Sequence, residues 1–119
     1  MTIAKVSMLA LAIGAFAGTP VLAAQARLPR EAERGRVFAQ ANCAPCHAIG
    51  PRGDSPYAPA PPFRTLHERY DVEGLAEALV EGIVVGHKGP QPMPKFVIGP
   101  SQADDLISYL KSLEPRAPR

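Results

Sequence analysis

The chain has no tryptophan, only four phenylalanines and three tyrosines among its 119 residues, and two cysteines. So few large side chains build only a thin core. Two cysteines allow at most one disulfide, which excludes the multiply bridged scaffold of many small exported domains. Strong charge of either sign is missing too: 13 Lys and Arg stand against 11 Asp and Glu, and no basic run of the kind nucleic acids select is present. No alternation of apolar and polar residues runs long enough for a sheet, no repeat recurs, and no apolar run reaches the roughly 20 residues a membrane span takes.

What is present begins with a leader. Residues 1–26 carry one cation, Lys5, then an apolar stretch from Val6 to Gly18, a helix-breaking Thr19-Pro20, and a small-residue tail ending in Ala24-Gln25-Ala26. That is the layout of a secretory signal peptide with an A-x-A cleavage site, so cleavage is expected after Ala26. Taking 26 residues from 119 leaves 93 in a single domain, residues 27–119, nearly neutral once Lys5 is gone. A domain that small and that poor in aromatics needs a metal or a cofactor to fold around.

The mature chain reads as all-α. Pro29 suits the first position of a helix through "REAERGRVFAQAN", with Glu31 and Glu33 in its first turn and Ala32, Gly35 and Ala39 facing inward. Gly35 in mid-helix costs about 1 kcal/mol relative to alanine, tolerable where another element must approach closely. Proline-rich residues 50–62 form an extended loop. A short helix is expected in "FRTLHERY", then one capped by Asp71 with an apolar stripe of Val72, Leu75, Ala76, Leu79, Val80 and Ile83. A second proline-rich loop surrounds Met93. The final helix is expected to be capped by Ser101, with Asp104 and Asp105 in its first turn, Leu106, Leu110 and Leu113 along one face, and Glu114-Pro115 as its stop.

Both cysteines sit in "NCAPCHAIG", three apart, with His47 directly behind Cys46. A Cys43–Cys46 disulfide closes too small a loop to constrain the unfolded chain much, and leaves His47 without a role. A thioredoxin-type redox pair belongs beside a βαβ pattern, which is missing. Zinc needs four ligands, and His67 and His87 are spaced 20 residues apart instead of the three to five of paired ligands. Covalent haem attachment, whose signature is C-x-x-C-H, accounts for every residue in the cluster. Two thiols join adjacent sides of the porphyrin, and the next imidazole lies beneath the iron.

His47 leaves the sixth iron position to be filled. Met93 is the only methionine left after cleavage, lies in a loop stiffened by Pro92 and Pro94, and follows His47 by 46 residues. It is the candidate second ligand. His67 reads as a solvated helix face and His87 as a loop residue.

At this point the chain resembles the small class I cytochromes c over residues 30–114. Gly35, "CAPCH", a proline loop with "APPF", a middle helix, "MPKF" and a C-terminal helix with Tyr109 occur in that family's order. The resemblance implies a cytochrome c fold of three to four helices around one haem c. It implies thioethers at Cys43 and Cys46, iron ligands His47 and Met93, and terminal helices crossing near Gly35 and Tyr109. It also implies a proline carbonyl on the proximal imidazole, from Pro61 or else Pro62. An aromatic common four residues before the first cysteine is replaced by Ala39, with Phe38 beside it. The function implied is single-electron carriage in the periplasm by a soluble monomer, without enzymatic activity. Partners would be a dehydrogenase, a quinol-oxidising complex or a terminal oxidase, steered by Lys88 and Lys95. The competing expectations are a permanent haem subunit of an exported dehydrogenase complex, and a haem enzyme or gas sensor with a labile Met93.

Overall fold

A computed structural model describes residues 27–82 and 92–116; the leader at 1–26, Ile83, His87 and Lys88 lie outside these residues. The described residues contain three α-helices and one 3₁₀ helix, and no strand.

Helix α1 spans Arg30–Asn42, with Glu31 and Glu33 in its first turn. Pro29 sits one position earlier than expected, at the cap, where its φ of −50° and ψ of 151° are extended and not yet helical. Ala32, Gly35 and Ala39 are the buried face, as their three- and four-residue spacing requires. At the other end the Cys43 and Ala44 N–H groups both donate to the Ala39 carbonyl, at 2.8 and 3.0 Å. The helix therefore turns directly into the cysteine cluster.

Helix α3 spans Pro100–Ser112. Its start differs from the expected Ser101 cap: Gly99 is the cap and Pro100 the first helical residue. Proline supplies the helical φ, and its missing N–H costs nothing at a position where that donor has no helical partner. The Gly99 N–H is instead met by Gln102 Oε1 at 3.4 Å. Asp104 and Asp105 consequently lie beyond the first turn, and Asp105 turns to α1. Arg34 grips it bidentately, Nε to Oδ2 at 2.7 Å and Nη2 to Oδ1 at 2.6 Å.

The two terminal helices meet where Gly35 faces the Asp105–Leu106 backbone. A Cβ at residue 35 would overlap the Asp105 carbonyl oxygen and lie 2.6 Å from its carbon and 2.9 Å from Leu106 Cα. A mid-helix glycine is thus the condition for this approach. Tyr109, buried on α3, donates its hydroxyl to the Ile49 carbonyl at 2.8 Å, which ties the segment after His47 to the helix pair.

Phe63–Glu68 forms the 3₁₀ helix, shorter than the segment expected to be helical. Helix α2 spans Leu75–Glu81 and starts three residues later than its apolar stripe suggests. The Asp71 carboxylate accepts the Glu73 N–H at 3.2 Å, so it holds a turn instead of capping a helix, a competing use of aspartate. Val72 and Leu79 are buried, and Leu75, Ala76 and Val80 are packed against the core. The helix ends at Gly82, whose φ of 96° favours a residue without a side chain. Lys111 on α3 pairs with Glu73, fastening the turn before α2. The core joins Ala32 and Ala39 of α1 to Phe63, Val72, Leu79, Ile98 and the inward face of α3.

Candidate functional site

The segment after α1 continues as a tight turn. The Cys46 and His47 N–H groups both reach back to the Cys43 carbonyl, at 3.1 and 2.9 Å, so five residues of chain bring both thiols and the imidazole to one wall. The proline-rich loop is hung from that wall by its own backbone. Tyr57 N–H donates to Cys46 O at 3.2 Å, Phe63 N–H to Ala48 O at 2.9 Å, and Ser55 Oγ accepts from Ala48 N–H at 3.0 Å.

This folding-back places the Pro61 carbonyl 2.8 Å from His47 Nδ1. A carbonyl only accepts, so Nδ1 carries the proton and the Nε2 lone pair is the one presented for coordination. Pro61, not Pro62, is the partner. His47 is 8% exposed, and the Phe63 ring lies against it with centroids 5.2 Å apart and planes inclined at 50°.

Cys43, Cys46 and His47 line a cavity of about 600 Å³, and so does Met93, from the loop 46 residues further on. The rest of the lining is overwhelmingly apolar: Phe38 from α1, Pro61, Phe63 and Leu66 from the middle segment, Leu75 and Leu79 from α2, Phe96 from the Met93 loop, and Leu106 and Leu110 from α3. Among the described lining residues, Glu81 carries the one carboxylate. Met93 is half-buried between Pro92 and Pro94, and the Ile98 N–H beyond it donates to the Leu79 carbonyl at 3.3 Å.

Burial, helped by neighbouring Cys46, pushes the Cys43 thiol up to about 11. A redox or metal-binding cysteine is activated by the opposite shift. No group of three or more His, Cys, Asp or Glu among the described residues is placed to hold a metal ion. Two thiols one turn apart, an imidazole of fixed tautomer, a thioether and apolar walls do fit a flat, apolar, iron-bearing ring.

Several features of the site lay beyond sequence reasoning. Tyr57 and Tyr70 line the cavity, and no periodicity marks them because they sit in turns. Phe38, beside the position where an aromatic was expected, also lines it, whereas Ala39 is fully buried in the helix contact. His67 is not on a solvated face: it is half-buried, and its Nδ1 is shielded without a hydrogen-bond partner among the described residues. Its segment is 3₁₀, so the three-residue repeat that turns Phe63 and Leu66 inward draws the next residue partly under cover.

Comparison with known proteins agrees with this architecture. The sequence model of the family described as Cytochrome c matches residues 32–114. A protein of Synechocystis sp. named cytochrome c-553-like is 32% identical over 111 residues, which cover 91% of this chain and 96% of that protein. No solved structure matches. A family match that begins in α1 and ends just past α3, joined to a relative aligned over almost its full length, makes the chain a member of the cytochrome c family, a small class I c-type cytochrome of all-α fold that carries electrons on covalently bound haem c.

Proposed function

We propose that Cys43 and Cys46 hold the haem, that His47 and Met93 are its two iron ligands, and that the chain is a soluble, exported carrier of single electrons. The observation that carries this reading is convergence. Four residues drawn from two loops 46 positions apart line one apolar cavity, and the imidazole among them is already oriented by Pro61.

Attachment needs no oxidant. Cys43 and Cys46, both thiols lining the cavity, would hold the group by thioether bonds, each formed by adding S–H across a vinyl group. The group supplies the one-electron couple of its iron when bound; this chain supplies the ligand field and the seal. His47, with Nδ1–H held by the Pro61 carbonyl, is a stronger donor than a free imidazole. Met93 would be a weak, soft ligand that favours the reduced iron and raises the potential. With His47 and Met93 both ligating, the apolar walls would keep small substrates from the metal, and the group would supply one-electron transfer.

A carrier of this potential receives electrons from a dehydrogenase or a quinol-oxidising complex and gives them to a terminal oxidase. Docking is weak and charge-steered. Lys95 is exposed beside Met93 and serves it, with Lys88 as its expected companion. Export to the periplasm follows from the leader at residues 1–26, cleaved after Ala26. No described helix is long and apolar enough to cross a membrane.

A visible spectrum of periplasmic protein, native and denatured, tests the reading. Haem stays with the denatured polypeptide, and the native oxidised protein has the methionine-to-iron charge-transfer band. Haem extracted by acid acetone would overturn the attachment. N-terminal sequencing of the same sample reads the cleavage site, and size-exclusion chromatography of native extract separates a free monomer from a subunit of a dehydrogenase complex.

A further inference from the structure

Residues 93–98 leave Met93 and run along the last turn of α2, where they are fastened twice. The Ile98 N–H donates to the Leu79 carbonyl at 3.3 Å. Three residues further on, just past the end of α2, the Lys95 side chain lies across Gly82. A Cβ on Gly82 would overlap Lys95 Cε and stand 3.4 Å from both Cγ and Nζ. The lysine stem therefore occupies the space that any other residue at position 82 would fill with its own side chain. Leu79 lies in the last turns of α2 and Gly82 directly follows its end, so the two fastenings hold residues 95–98 along the end of that helix. Gly82 is favoured by its φ of 96°, and the end of the Lys95 side chain lies in the space its missing side chain leaves.

Lys95 is exposed as a residue and forms no ion pair among the described residues. Its packed part is the stem, in the manner of side chains that lay their methylenes on the protein and leave the ammonium in water. We propose that Lys95 and Gly82 form a latch that positions Met93 in the haem cavity. The latch rests on the reading of Met93 as an iron ligand. A weak thioether ligand in a loop stays bound only as well as the loop is held, and the loop opens locally before the protein unfolds. Lys95 sets that opening through the two residues joining it to Met93. Its role is distinct from partner steering: steering depends on the ammonium, the latch on the methylenes.

The test uses oxidised holoprotein titrated with guanidinium, reading the methionine-to-iron band and far-UV ellipticity on the same samples. In Lys95→Ala the band is lost at lower denaturant while the ellipticity midpoint stays in place, and the fraction with Met93 released rises about fivefold at a given low concentration. Lys95→Gln, whose side chain reaches the Cε position without the charge, restores most of the wild-type curve. Gly82→Ala shifts the band in the same direction as Lys95→Ala. Coincident band curves for wild type and Lys95→Ala would overturn the latch, and so would a Lys95→Gln curve matching that of Lys95→Ala. A wild-type protein with no such band overturns the Met93 ligand reading itself, which separates the two failures. The Lys95 variants decide the matter even if Gly82→Ala does not fold.

Discussion

Gly35 of α1 and Asp105 of α3 meet backbone to backbone, with no room for a methyl group between them. The same aspartate turns its carboxylate back to Arg34, the residue just before the glycine, in a two-pronged hydrogen bond of 2.7 and 2.6 Å. One residue of α3 thus answers two successive residues of α1, once through its backbone and once through its side chain. The intrinsic cost of glycine inside a helix, about 1 kcal/mol, is offset by the contact it permits.

Gly35→Ala is expected to destabilise the holoprotein by about 2–3 kcal/mol, above the usual cost of glycine replacement in reverse because the obstacle is backbone that has to move. Guanidinium unfolding followed by far-UV ellipticity measures it as a lower midpoint at unchanged slope. Thioether-bound haem remains with the variant chain after denaturation, because attachment depends on the cysteines and not on the helix crossing.

The Arg34 pair also sets an acid limit. Hydrogen bonding to Arg34, assisted by its charge and partly opposed by burial, holds the Asp105 carboxyl below the usual carboxylate range. Arg36 does the same for Glu33, and Lys111 for Glu73. Depressed folded-state pKa values mean that this stability is complete above the unfolded carboxylate value, about 4, and is lost as pH falls through the lower folded values. Stability measured between pH 6 and pH 2 should fall below about pH 4, and Arg34→Gln should flatten part of that fall. Arg34 is 58% exposed, so high salt should shrink the difference between the two proteins.

Why some of this was legible in the chain and some was not follows from the reach of each signal. The buried faces of α1 and α3 were readable because a 3.6-residue period survives whatever packs on it, and Gly35 stood out as a violation of helix propensity. Helix starts were less readable. Asp71 and Ser101 both look like caps, yet Asp71 serves a turn and Pro100 begins α3 ahead of Ser101, since turn and cap compete for the same residues. Cys43, Cys46 and His47 are adjacent in sequence and needed no fold to be seen together. The choice of Pro61 over Pro62 needed the loop's path, set by the bonds from Tyr57 and Phe63 to the cysteine turn. The lysine over Gly82 joins positions 13 apart with no periodic relation, and only packing reveals it.

Tyr109 links α3 to the segment behind His47 through one hydrogen bond, from its hydroxyl to the Ile49 carbonyl at 2.8 Å, while its ring is buried. Tyr109→Phe keeps the ring and leaves that carbonyl without this donor, so a loss of about 1 kcal/mol is expected in chemical unfolding. Burial raises the Tyr109 pKa, with opposing smaller influences from Arg36 and Glu33. A raised folded-state value contributes stability that is complete below the unfolded phenol value, about 10, and disappears as pH rises through the higher folded value. Wild type should therefore lose stability above about pH 10, and Tyr109→Phe should lose less over the same interval.

Met93→Ala separates what fastens the haem from what tunes it. Cys43, Cys46 and His47 lie in one backbone turn and are unaffected by a change in the distant loop. Haem should stay covalently attached and His47 bound, with Nδ1 still on the Pro61 carbonyl. With Met93 the proposed sixth ligand, its removal is expected to abolish the methionine-to-iron band and to let the reduced protein bind carbon monoxide at neutral pH. The midpoint potential should drop by on the order of 100 mV, because the remaining field no longer favours reduced iron. Cys43→Ser acts at the opposite end of this division: one thioether persists and shifts the reduced visible bands, while the methionine-to-iron band is retained. A Met93→Ala protein that kept the band and excluded carbon monoxide would show that another residue completes the iron, and potentiometry on both variants locates the control of potential in the loop or in the cysteine turn.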